Sequence, residues 1–241
     1  IDIRADEVTI DGFTINASGS LADWIATARS YAGNSRYSKL RLLNNVLAAN
    51  PSAAPGGFYL ENQDDLLIEC NYFNDLGAYG ALVAPATLSD AGSNFVVYRN
   101  NDSVSNARPV FATQGGGHST VWVRNNRAIH DTIELGSVNE AIVIGNGFTG
   151  TSGSPSGVVL NGGNESLTVS DNRFSTMQGP ALLLRDAGLG ANRDITITGN
   201  TINAVAAQLP DDAALVDVRS TVGHSSIQSN TIDLTGTTTR T

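Results

Sequence analysis

An all-β solenoid is the fold class that this sequence predicts, and a recurring phrase with its spacing carries the prediction. The phrase is an apolar alternation, a turn centred on asparagine, and an apolar residue two positions later. It reads Leu42-Leu43-Asn44-Asn45-Val46-Leu47, Ile68-Glu69-Cys70-Asn71-Tyr72-Phe73 and Tyr98-Arg99-Asn100-Asn101-Asp102-Ser103. Further copies centre on Asn126, Asn146, Asn172, Asn200 and Asn230, and a weaker first copy, Ile10-Asp11-Gly12-Phe13-Thr14-Ile15, has Phe13 in the asparagine's place. The intervals between the anchors are 26, 30, 25, 20, 26, 28 and 30 residues. A period in the twenties means repeats that bury their apolar faces only by stacking on one another. Within each repeat the apolar residues alternate with period two, as in Leu167-Thr168-Val169 and Ile195-Thr196-Ile197, so the repeats are strands.

A second short strand precedes each asparagine phrase: Phe58-Tyr59-Leu60, Ala81-Leu82-Val83, Val110-Phe111-Ala112, Ile133-Glu134-Leu135, Val158-Val159-Leu160, Leu182-Leu183-Leu184 and Val216-Asp217-Val218. Small polar turns such as Asn161-Gly162-Gly163-Asn164 separate the two. Each coil is then strand, turn, strand, asparagine turn, brief third strand and variable loop. Asparagine suits the turn because it tolerates the left-handed region and bonds nearby backbone. Stacked at about 4.8 Å, such amides can bond to one another as a ladder. The eight anchors are therefore expected to be structural.

This coil pattern resembles the right-handed parallel β-helix of the pectin-lyase-like superfamily, above all the repeat domains of its secreted and surface carbohydrate-associated members. The resemblance covers nearly the whole chain. It implies one domain over residues 1–241, about eight to nine coils, and a polysaccharide or cell-surface glycan as partner. It also implies a secreted or cell-surface location. One architecture hosts many functions, so a binding or adhesive module is the first expectation. A lyase, C5-epimerase or glycoside hydrolase is the second, and a trimeric spike of side-by-side coils is the third.

Composition narrows the partners. The net charge is −9, with one lysine, Lys39, against thirteen arginines. An acidic surface disfavours nucleic acid and anionic membranes, and no apolar run has the length to cross a membrane. The lone Cys70 excludes a disulfide within the chain and is expected to be a buried thiol. The chain opens on strand-like Ile1-Asp2-Ile3-Arg4 without a signal segment or a cap, which suggests a mature or excised piece of a longer precursor.

Departures from the repeat are where solenoids place function. The segment 16–37 predicts one short inserted helix, about residues 20–33: Ser20 and Asp23 resemble a capping box, Leu21, Trp24, Ile25 and Ala28 share a helical face, and Gly33 ends it. Trp24 and Tyr31 have the chemistry to stack on sugar rings. Asp211 and Asp212 have the chemistry for calcium, but no calcium-loop pattern accompanies them, so neither cofactor nor metal is expected.

The outer face of the first strand in each coil is where polysaccharide-acting members of the superfamily place their groove. Alternation puts Tyr59, Glu61, Phe111, Thr113, Glu134, Val159, Asn161, Leu183, Arg185, Asp217 and Arg219 there. The catalytic candidates are Glu134 with His130 beside it, and Arg185, Asp217 and Arg219; Tyr59, Glu61, Phe111 and Asn161 are the substrate-binding candidates. Paired carboxylates serve glycoside hydrolysis, and an arginine or histidine serves proton transfer from a carboxylate-bearing sugar. The apolar outward residues Leu82, Phe111, Val159 and Leu183 suit an association surface or sugar stacking. His118 and His224 lie four coils apart, roughly 19 Å, too far to share a metal.

Overall fold

Asparagine at the turn closes a continuous column of hydrogen bonds, and the architecture follows from it. In the computed structural model, which describes residues 1–17, 24–29, 36–49, 55–87, 91–150, 157–205, 209, 214–219 and 222–235, each anchor is bonded to the next. Asn126 shows the unit: its backbone N and its Nδ2 both donate to Asn146 Oδ1, at 3.0 and 2.9 Å, while Nδ2 also donates to the Tyr98 carbonyl at 3.1 Å. The same pattern joins Asn45 to Asn71, Asn71 to Asn101, Asn146 to Asn172 and Asn200 to Asn230. Phe13 starts the column with its backbone alone, donating to Asn45 Oδ1 at 3.1 Å. Phe13 cannot extend the ladder downward, and its ring is 54% exposed.

The left-handed residue of this turn is the one before the anchor. Asn44, Cys70, Asn100, Asn125, Asp171 and Ser229 have φ between 53° and 57°. The two tasks of the turn are thus split between neighbours: the first residue bends the chain and the anchor bonds along the stack. The bend also turns Cys70 outward, so its thiol is exposed, contrary to the expectation of burial.

Among the described residues the strands form three large parallel sheets of nine, nine and eight strands and two short two-stranded ones, a right-handed parallel β-helix. We name the faces in coil order. The first face holds Trp24–Ala28, Gly56–Glu61, Ala81–Ala84, Phe111–Thr113, Ile133–Leu135, Val158–Leu160, Leu182–Leu184 and Val216–Val218. The second carries the strands that run into the asparagine turn, such as His118–Arg124 and Val138–Ile144, and the third the strands that leave it, such as Arg127–Ile129 and Gly147–Thr149. Among the described residues every regular element is a strand, and no helix is long and apolar enough to cross a membrane.

Inside the tube the register aligns like positions. Phe58, Ala81, Phe111, Ile133, Val158 and Leu182 form one inward column. Aromatic rings stack along the axis, with Phe73 on Tyr98, Tyr98 on Phe111 at 4.6 Å between centroids, and Phe148 on Phe174 at 4.9 Å. Such contacts add to simple burial of area.

Two sequence expectations are corrected here. Trp24–Ala28 is a strand and not a helix. It pairs in register with Gly56–Glu61, and its other edge takes Ile1–Ile3, with Ile3 N on the Thr27 carbonyl and Thr27 N on the Ile1 carbonyl, both at 2.8 Å. Ala26 and Ala28 fill the inward places of Phe58 and Leu60 and are fully buried. The first coil needed a first-face strand, and pairing on both edges overrides the helical spacing of Trp24, Ile25 and Ala28. Ser20, Asp23, Tyr31, Gly33, Asp211 and Asp212 lie outside the described residues.

Phe111 points inward. Its strand begins at Phe111, one residue later than the sequence suggested, and a slip of one residue exchanges the two faces of a strand. Phe111 and Thr113 are fully buried, and the Thr113 hydroxyl donates to the Gly136 carbonyl. Phe111 is therefore a core residue and not a sugar-binding one.

Replacing Asn172 with Leu removes a double acceptor for Asn146, takes the Nδ2 donor from the Val143 carbonyl and leaves Asn200 Oδ1 with the backbone N–H alone. Leaving a buried polar group unsatisfied costs about 1–3 kcal/mol, so Asn172→Leu is expected to lose about 3 kcal/mol or more in urea denaturation. Asn230→Leu, at the exposed end of the column, should lose visibly less.

Candidate functional site

The outward column of the first face runs Tyr59, Leu82, Ala112, Glu134, Val159, Leu183, Asp217. Beside it lies a second column in which Asn161 and Arg185 follow Leu160 and Leu184. Around Glu134 the surface becomes concave. A pocket of roughly 230 Å³ is lined by Asn106–Pro109, His130–Thr132, Glu134, Val159, Leu183 and Arg185. Three of the sequence candidates, His130, Glu134 and Arg185, come together there.

Glu134 is almost buried, with 10% of its side chain exposed. Asn161 Nδ2 donates to its Oε1 at 2.7 Å, Arg185 Nη2 lies 3.5 Å from its Oε2, and Arg185 Nε donates to Asn161 Oδ1. Glu134, Asn161 and Arg185 thus form a closed triangle across three successive coils. Asn161 is the pivot, because its amide serves the carboxylate with one end and the guanidinium with the other. Part of the guanidinium stays available, since 44% of the Arg185 side chain is exposed.

His130 owes its position to a turn. It has φ of 56°, matching Ser105 and Asp75 one and two coils earlier at the corner between the third and first faces. Its Nδ1 lies 3.3 Å from the Ser105 hydroxyl.

Two further residues of this pocket lay outside the sequence candidates. Arg108 is an exposed cation on the connection that precedes Phe111, and only the folding of that connection brings it to the rim. Asp131 is 6% exposed and receives Asn106 N on Oδ1 at 2.8 Å and Asn106 Nδ2 on Oδ2 at 3.0 Å. Burial pushes its carboxyl up to about 7, against the opposing hydrogen bonds from Ser103 and Asn106. The signal for Asp131 was present in the repeat, as the residue after the bend in the series Asp75-Leu76, Ser105-Asn106, His130-Asp131.

The other candidates fall elsewhere. Asp217 and Arg219 pair with each other, Arg219 Nε donating to Asp217 Oδ2 at 2.7 Å. Asp217 is three strands from Glu134, about 14 Å at the strand spacing, and neither residue lines the pocket. Tyr59 lies three strands away in the opposite direction. It packs with Trp24 at 5.1 Å between ring centroids, with Arg29 over its ring at 5.2 Å. Burial, with the nearby Glu61 carboxylate, pushes the Tyr59 hydroxyl up to about 12. Glu61 itself is 8% exposed.

Leu82, Val159 and Leu183 do point outward, yet each is at most 8% exposed. Leu82 is packed with Trp24, Tyr59 and Tyr79, while Val159 and Leu183 line the pocket.

Among the described residues no group of three His, Cys, Asp or Glu is placed to hold a metal. His118 is a core residue: its Nδ1 accepts from Ser93 N at 3.1 Å, its Nε2 faces the Gln114 carbonyl at 3.4 Å, and burial depresses its pKa to about 4. His224 has 95% of its side chain exposed.

No protein-family model and no curated protein matches the sequence. Among solved structures the chain is similar to an alginate lyase from Paenibacillus sp. str. FPU-7, with a TM-score of 0.55 and 18% identity over 95% of this chain and 88% of that one. At that identity the likeness establishes the parallel β-helix and nothing finer.

The two buried titrating groups oppose each other in stability. His118 is depressed from 6.5 to about 4, so its contribution is present above 6.5 and is lost as pH falls through 4. Asp131 is raised from 3.8 to about 7, so its contribution is present below 3.8 and is lost as pH rises through 7. Asp131→Asn should therefore be more stable than the parent by a margin that grows from about pH 4 to about pH 7. The plateau is expected to be on the order of 2–4 kcal/mol, read from denaturation curves at each pH. A constant margin would contradict the assignment.

Proposed function

We propose that this chain is a polysaccharide-binding β-helix that takes a carboxylate-bearing sugar in the pocket between Arg108 and Arg185. The observation that carries this reading is the composition of the pocket. Two arginines and His130 converge on a concave site whose acidic groups are already engaged, Glu134 by Asn161 and Arg185 and Asp131 by Asn106. The two arginines therefore present donors to an anion although the whole chain carries −9. That opposition argues for recognition through a few directed contacts and not through a general field. Arginine suits the task because its planar fork meets a carboxylate with two parallel hydrogen bonds.

A second reading, an enzyme that removes a proton next to the sugar carboxylate and eliminates the glycosidic oxygen, is favoured by His130 standing in the same pocket. In that reaction an arginine would neutralise the carboxylate so that the adjacent C–H becomes more acidic, and His130 would take the proton while water protonates the departing glycosidic oxygen. The alginate lyase of similar fold makes acidic polysaccharides the first substrates to try. Membership of the pectin-lyase-like superfamily, and a secreted or cell-surface location where such polymers are met, belong to the same proposal.

Calorimetric titration with oligouronates and with neutral oligosaccharides of equal length tests the first reading. Binding is expected for the acidic series only, weaker at high salt, and about tenfold weaker or more in Arg185→Ala and in Arg108→Ala, each removing a charged hydrogen bond. Equal binding of the neutral series would contradict it. For the second reading, incubation with polyuronates should generate unsaturated uronate ends in the parent and not in His130→Ala; no such product from any polyuronate would exclude it.

A further inference from the structure

A second ladder climbs the corner between the third and first faces and ends in the pocket. Leu76 N donates to Asn106 Oδ1 at 3.0 Å, and Asn106 donates in turn to Asp131. This last rung differs from those of the main ladder. An anchor asparagine gives both its backbone N–H and its Nδ2 to a single oxygen of the next asparagine, as Asn126 does to Asn146. Asn106 gives them to two separate oxygens of one carboxylate. An asparagine at 131 would complete the rung without a buried acid, so the ladder alone does not require Asp131.

The segment that this rung pins is the one that builds the pocket rim. Asn106 is followed directly by Ala107, Arg108 and Pro109, all of which line the pocket. Ala107 N is held by the Leu76 carbonyl at 2.8 Å, and Val110 N by the Thr132 carbonyl at 2.9 Å. Just before those two backbone contacts, Asn106 supplies side-chain fixtures of the segment, through the rung to Asp131 and the bond from Leu76 N.

We infer that Asp131 is a positioning residue that latches the Arg108 rim: the carboxylate holds Asn106 by both oxygens, and protonation gives up one of the two bonds. When a proton from solvent settles on Oδ2, that oxygen becomes a neutral hydroxyl and a much weaker acceptor for Asn106 Nδ2, so the charge-assisted bond is lost. Oδ1 keeps the backbone N–H. The segment then keeps its backbone contacts and loses the Nδ2 bond, and Arg108 loses its fixed place across the pocket from Arg185. The raised carboxyl of Asp131 puts this change near neutrality. The groups that face Asp131 are the Ser103 hydroxyl, which lowers it, Asp75 two coils earlier, whose charge raises it further, the buried Tyr98, its neighbour His130, and Arg108 and Glu134 around the pocket.

The structural arm of the inference is independent of any ligand, while the binding arm rests on the acidic-sugar reading of the pocket. Nuclear magnetic resonance of the free protein, titrated from about pH 8 to about pH 5, should show the Asn106 side-chain amide and the Leu76 and Asn106 backbone amides shifting together, with a midpoint near 7. The step should persist in His130→Gln and vanish in Asp131→Asn. Oligouronate affinity should fall about tenfold across the same step in the parent and become independent of pH in Asp131→Asn. Absence of the step at Asn106, or its survival in Asp131→Asn, would overturn the latch, as would an affinity that ignores the step. The step without oligouronate binding at any pH would support the latch and reject the acidic-sugar reading.

Discussion

The hydrogen bond from one asparagine side chain to the next is the interaction on which the rest of this structure depends. A strand corner buried in a solenoid leaves backbone groups with no ladder partner of their own, and an orphaned buried group is costly. Each anchor meets that cost from three sides. Its Oδ1 takes the backbone N–H and the Nδ2 of the anchor before it, and its own Nδ2 reaches a strand carbonyl of the preceding coil. The column fixes where every coil turns. With the turn fixed, the alternation of each strand decides which residues enter the tube and which line its outside.

The pocket is a product of the same device used at another corner. From Asn45 to Asn230 the anchor corner is occupied by asparagine. At the corner between the third and first faces the column changes from Leu76 to Asn106 to Asp131, and the bend before it from Asp75 to Ser105 to His130. Those changes put a histidine and a buried acid at successive positions beside the outward strip. The triangle of Glu134, Asn161 and Arg185 completes the other wall. A repeat that tolerates substitution at one corner while holding another constant can thus vary its surface chemistry with its fold intact.

Most of the fold was legible in the sequence because one chemical signal, the asparagine turn, recurs with a period that admits few architectures. What failed did so for identifiable reasons. Trp24–Ala28 fits a helical face and a strand equally well, and pairing on both edges, which sequence does not display, decided for the strand. Phe111 was misplaced by a single residue because Val110, Phe111 and Ala112 are all apolar and carry no alternation to fix the register. Glu134, His130 and Arg185 were legible as outward or turn residues, and their convergence was not, because it depends on the stacking of coils. Arg108 gave no signal, since its place is set by a connection without repeat character. Asp131 gave one that is visible only when the second corner is aligned as the first was.

The pocket, and not the rest of the surface, is proposed to receive an acidic sugar. Mapping the amide shifts produced by an oligouronate on the isotope-labelled protein decides this. Shifts are expected to gather on Arg108, His130, Asp131, Asn161 and Arg185, with the strands around Asp217 and the second face unmoved. Shifts centred on Asp217 and Arg219, on the outer aromatic cluster of Trp24 and Tyr59, or spread evenly over the surface would contradict the proposal.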